Sequence, residues 1–131
     1  MAADLLDSLA RKHGVRLLLQ HGSTVTGRTH AGSDVDLAVL LHRAPDSADA
    51  YLALVGDIQE AFPGRPVDLV VLNHADPLLL KRVTEHSRLL HGDVAALREL
   101  KLYAFKRYQD HRRFLAMERD YVRRKVAEAA G

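Results

Sequence analysis
At 131 residues, 47% apolar and 27% charged, the chain has the size and composition of one globular domain with a sizeable core. It has no cysteine, which excludes a disulfide framework, a thiolate metal site and a cysteine nucleophile. No apolar run approaches the roughly 18 residues that a bilayer crossing needs. The first residues mix acids with apolar side chains and lack the basic start and apolar stretch of a signal peptide, so a cytoplasmic protein with no membrane partner is expected.

Charge is unevenly distributed. Residues 1–92 hold 9 Lys/Arg against 11 Asp/Glu, and residues 93–131 hold 10 against 6. A basic C-terminal segment raises nucleic acid as a partner. A helix of mixed charge is more simply a solvated face, and that is the favoured account.

In chain order, Asp4 to Ala10 has helical spacing, with Leu5, Leu6 and Leu9 on one side and His13-Gly14 as its end. Val15 to Gln20 reads as a strand. Residues 21–35, rich in Gly, Ser and Thr, read as a loop with one short helical turn near Ser23. Asp36 to Leu41 does not alternate and is expected to be a strand buried on both faces. Pro45-Asp46-Ser47 starts a helix over about 47–61, which Pro63-Gly64 stops. Val67 to Leu72 is a third strand, Asp76-Pro77 opens a helix to about Glu85, and Ser87 to His91 forms a fourth, marginal strand. From Val94 to about Glu128 apolar residues recur three, four or seven apart, predicting one long helix. Its aromatics, Tyr103, Phe105, Tyr108, Phe114 and Tyr121, are expected in the core or against a partner. The sum is an α/β (α+β) fold in one domain over 1–131: a small mixed sheet of three or four strands covered by helices, with a core over 14–92 and a helical segment over 93–128.

Asp34 and Asp36 carry the chemistry. Two apart on an extended chain, they point to one face. Carboxylates so close repel each other unless a cation lies between them, and hard oxygen donors favour Mg²⁺ or Mn²⁺. Asp68, near the start of another apolar strand, completes the set if the two strands are neighbours. Three acids at one end of a sheet suit two metal ions clamping an in-line phosphoryl displacement. Upstream, Gly22-Ser23 offers backbone amides and a hydroxyl to an anion such as a triphosphate. Arg28 and Ser33 are further candidates for nucleotide contact. A purely structural account has Asp34 capping a turn and Asp36 paired with Arg28 or Arg16.

Gly22-Ser23, ten residues, then Asp34-Val35-Asp36 resembles the signature of the nucleotidyltransferase superfamily that includes DNA polymerase beta. In its short form the chain resembles the minimal members, the MntA-type antitoxins paired with HEPN-domain toxins, and Val67 to Leu72 matches the strand that carries their third acid. The resemblance implies a polymerase beta-like core and transfer of AMP from ATP to a tyrosine hydroxyl of a cognate HEPN ribonuclease, with which the chain would form a hetero-oligomer. By the same resemblance Asp34, Asp36 and Asp68 hold two Mg²⁺ ions, and Gly22 and Ser23 hold the β- and γ-phosphates. The RxxxxH signature of the toxin is absent, since Arg82 and His86 stand one residue too close. Two places depart from the pattern: His21 stands where many relatives have Phe or Tyr, and Thr24-Val25-Thr26 where they have an arginine. Two other functions fit the same residues: transfer to a small-molecule or RNA hydroxyl, and an antitoxin that masks its partner without catalysis.

Overall fold
The computed structural model describes residues 2–22 and 34–131. Its elements run α1 (Ala2–His13), β1 (Val15–His21), β2 (Val35–Leu41), α2 (Ala48–Glu60), β3 (Val67–Val71), α3 (Pro77–Glu85), β4 (Arg88–His91) and α4 (Val94–Ala130). The strands form one sheet in the order β3-β2-β1-β4. β1 pairs antiparallel with both β2 and β4, and β2 pairs parallel with β3. The mixed sheet, its helical cover and the long C-terminal helix are those expected.

Leu17, Leu18 and Leu19 on β1 and Leu37, Ala38 and Val39 on β2 are all buried, because both faces of the sheet are covered. On one face Leu6, Leu9 and Ala10 of α1 and Leu54 and Ile58 of α2 pack on Leu18, Leu37, Val39 and Leu69. On the other, Leu80 and Val83 of α3 and Ala96, Leu100 and Ala104 of α4 pack on Leu17, Leu19 and Ala38. Side-chain caps fix the helix starts. Ser47 accepts from the Ala50 amide, Asp76 from those of Leu78 and Leu79, and Asp93 from that of Ala95.

Three expectations need correction. Leu5 faces outward, because α1 turns the Leu6, Leu9 and Ala10 stripe to the sheet. The apolar residues of α4 beyond Ala104 are not core: Leu115, Val122 and Val126 are exposed, as are the aromatics Tyr103, Phe105, Phe114 and Tyr121. The sheet is four strands wide, so a 37-residue helix, about 55 Å long at 1.5 Å per residue, outruns it. Strand limits also move slightly. β1 takes in His21, β2 starts at Val35, and β3 ends at Val71 with Leu72 still buried and its amide donating to Val39.

Short connections set the strand ends. Gly92, between β4 and α4, has φ +119°, and a Cβ there would lie 2.5 Å from the Arg16 carbonyl oxygen and 2.7 Å from Leu17 Cδ2. Gly14, between α1 and β1, has φ +67° with open space around it. Gly14→Ala therefore carries only the left-handed backbone cost of about 1–2 kcal/mol. Gly92→Ala adds a collision with main chain and should lower unfolding free energy by clearly more than Gly14→Ala, as urea denaturation of the two variants will measure.

Between α1 and α2, His13 Nε2 lies 2.6 Å from Asp57 Oδ2, and Lys12 Nζ donates to the same oxygen at 2.9 Å. The bond to His13, and then that to Lys12, holds the Asp57 carboxyl below its ordinary range. A carboxyl lowered in the folded state adds stability that is present above its unfolded value and lost as pH falls through its folded one. The melting temperatures of wild type and Asp57→Asn should thus differ most near neutral pH and converge in acid.

Candidate active site at the paired strand starts
The parallel register of β2 and β3 sets Asp36 opposite Asp68, with Val35 opposite Val67 and Leu37 opposite Leu69. Neighbouring strands lie about 4.8 Å apart, so the two carboxylates leave the sheet side by side. Val35, Leu37 and Leu69 point into the α1–α2 core. Alternation then sends Asp36 and Asp68 to the opposite face, the one α3 and α4 cover. Asp34, exposed and immediately before β2, extends the same alternation by one step. The structure thus brings Asp36 and Asp68 together in register, with Asp34 two residues before Asp36 on the chain.

Two contacts hold this register. The Val35 amide donates to the Pro66 carbonyl at 2.8 Å, tying the start of β2 to the turn before β3. The Gln59 side chain accepts from the Val67 amide at 2.9 Å and donates to the carbonyls of Arg65, at 2.7 Å, and Phe62, at 3.2 Å. One amide group therefore fixes the chain that delivers Asp68. At the far end of β2, Asn73 accepts from the Leu41 amide and donates to its carbonyl.

β1 supplies the third wall. His21 is the cross-strand partner of Asp36, half-buried and on the same face. Gly22 follows with φ +75°, and a Cβ built on it would overlap the Asp36 carboxylate, with Cγ at 3.2 Å. The nearest neighbour of a Cβ at this glycine is the Asp36 side chain, beside the backbone expected to approach a phosphate. Any side chain at position 22 would push Asp36 from its place beside Asp68.

Arg16, one of the structural partners considered for Asp36, sits at the other end of β1 and pairs with Glu99 at 3.1 Å. Among the described residues no lysine or arginine forms an ion pair with Asp34, Asp36 or Asp68. Ser23, Arg28 and Ser33 lie outside the described residues. Among the described ones, no three His, Cys, Asp or Glu side chains form a group that could hold a metal ion. The donors nonetheless suit a hard divalent cation: adjacent carboxylate oxygens, like in charge, with no described cation between them.

Sequence reasoning did not assign a role to His21, and only the register with Asp36 points to one. A partly apolar groove lies elsewhere, between α3 and α4. Lys81, Thr84, Glu85, Lys101, Phe105 and Tyr108 line it, Lys81 pairs with Glu85, and its Nζ lies 4.7 Å from the centre of the Tyr108 ring. It shares no residue with the acids.

Like charges directly opposite each other on paired strands destabilise a sheet by up to about 1 kcal/mol. Asp68→Asn should therefore leave metal-free stability unchanged or slightly raised. Added Mg²⁺ or Mn²⁺ should raise the melting temperature of the wild type and not that of the variant, measured by thermal denaturation with and without the ion.

Residues 4–93 match the family model for polymerase beta, nucleotidyltransferase. Among solved structures, the chain is similar to one in a toxin–antitoxin complex with AMP-PNP: 26% identity, TM-score 0.72, covering 97% of this chain and 99% of that one. Two others share the fold at lower identity. One is from the complex of a tri-AMPylated Shewanella oneidensis HEPN toxin with MNT antitoxin (23% identity, TM-score 0.66, 96% of each chain). The other is from the toxin–antitoxin MntA-HepT (23% identity, TM-score 0.66, 96% of this chain and 97% of that one). No protein of curated function matches the chain.

Proposed function
This chain belongs to the polymerase beta nucleotidyltransferase family, and we propose that it transfers AMP from ATP to a tyrosine hydroxyl of a HEPN-type ribonuclease toxin, so acting as its antitoxin. The observation that carries the chemistry is the register that sets Asp36 against Asp68 beside Gly22. The nucleotide and the acceptor are inferred from similar proteins. A related chain comes from a toxin–antitoxin complex with AMP-PNP, and a chain of the same fold comes from a complex whose toxin is tri-AMPylated.

In this reaction the acceptor oxygen forms a bond to the α-phosphorus, the bond from that phosphorus to the bridging oxygen breaks, and pyrophosphate leaves. Asp34, Asp36 and Asp68 would hold two divalent cations, Mg²⁺ or Mn²⁺, which when bound supply the positive charge that offsets the triphosphate and acidifies the acceptor. Asp68, at the outer strand of the row, takes the acceptor proton. Gly22 and Ser23 receive the β- and γ-phosphates through backbone amides and a hydroxyl. Asp36, between them, would share those cations, and no side chain becomes covalently modified.

A protein acceptor fits the outer half of α4. Phe114, Met117 and Tyr121, three and four apart, are each more than half exposed, an apolar face that a partner would cover. No helix among the described residues is long and apolar enough to cross a membrane. The same face favours the second reading, an antitoxin that masks by binding alone.

Intact-mass spectrometry of the neighbouring gene product, incubated with this protein, Mg²⁺ and ATP, tests both. A gain of one or more adenylate masses that disappears with Asp36→Asn is the expected outcome. Tight binding and silencing with no gain of mass would replace transfer by masking.

A further inference from the structure
The row of polar side chains at the strand starts extends past His21. β4 pairs antiparallel with β1, Leu19 opposite Leu89 and Gln20 opposite Arg88. One further step of that ladder brings Ser87, just before β4, to the His21 end of β1. Leu89 packs on the α3–α4 side of the sheet, so alternation places Ser87 on the face that carries His21, Asp36 and Asp68. The order across this edge is Asp68, Asp36, His21, Ser87. The Ser87 hydroxyl oxygen is buried and has no hydrogen-bond partner among the described residues. A buried hydroxyl without a partner costs free energy that an apolar residue of the same size would not.

We propose that Ser87 is a nucleotide-binding residue, whose hydroxyl donates a hydrogen bond to the β- or γ-phosphate of the bound nucleoside triphosphate. The proposal rests on the nucleotidyltransferase reading of the site. In an in-line displacement the incoming and departing oxygens lie on opposite sides of the phosphorus. With the acceptor proton taken at Asp68, at one end of the row, the pyrophosphate departs toward the other end, where Gly22, His21 and Ser87 stand. That end carries no acid in the row, and a neutral hydroxyl there meets an anionic oxygen in a charge-assisted bond. Ser87 thereby acts on the leaving group and not on the nucleoside.

Isothermal titration of the intact protein with AMP-PNP and with AMP, in Mg²⁺, separates these roles, because AMP lacks the β- and γ-phosphates. Ser87→Ala should weaken AMP-PNP about tenfold, the usual cost of losing a hydrogen bond to a charged group, and leave AMP unchanged. Ser87→Thr, which keeps the hydroxyl, should bind both as the wild type does. The melting temperature of Ser87→Ala should be unchanged or higher, since it removes an unpaired buried group. Equal weakening of both ligands, or no change in either, overturns the proposal while leaving the transferase reading intact. A wild type that binds neither ligand overturns that reading, and this proposal with it.

Discussion

The parallel pairing of β2 with β3 is the constraint on which the rest of the molecule depends. Apolar side chains on both faces of these strands fix their depth in the protein, and burial of Val35, Leu37 and Leu69 fixes which residues face which side. A slip of one residue would turn Asp36 into the α1–α2 core and Leu37 out of it. The Val35–Pro66 hydrogen bond and the three bonds made by Gln59 close the register at the end where the acids stand. The hydrophobic core thus decides where the charges go, and the polar contacts decide how nearly they meet.

The arrangement sets local stability against chemistry. Two like charges opposite each other, and a left-handed glycine wedged against one of them, are features that a fold selected for stability alone would lack. They sit at one edge of the sheet, while the opposite edge is closed by neutral and paired contacts such as Asn73 on Leu41 and Arg16 on Glu99. A cation and a polyphosphate at that end would offset the repulsion.

Much of this was legible in the sequence. The four strands, the helix starts at Ser47 and Asp76 and the long last helix follow from apolar periodicity and from turn chemistry. Asp34, Asp36 and Asp68 stood out because acids at the mouths of buried strands need a reason. The strand order was not legible, since strands covered on both faces show no alternation to say which neighbour they take. Nor were His21 and Ser87, whose place in the row depends wholly on that order. The outer half of α4 misled in a different way: its three-and-four spacing says helix, but the same spacing arises whether the apolar face meets its own core or waits for another surface.

That last feature has a consequence for how evenly the molecule holds together. Only Ala96, Leu100 and Ala104 of α4 are buried and Tyr108 still meets Lys81 of α3, so the turns well beyond them rest on their own backbone and on exposed pairs such as Arg113 with Asp110 and Lys125 with Glu128. Pairs of this kind add only a few tenths of a kcal/mol each, and a helix without tertiary support is marginal in water. The amides of the last turns will therefore exchange with solvent long before those of the sheet. Contact with a partner along the outer helix would slow that exchange, so the amides there report on binding apart from the chemistry at the strand starts.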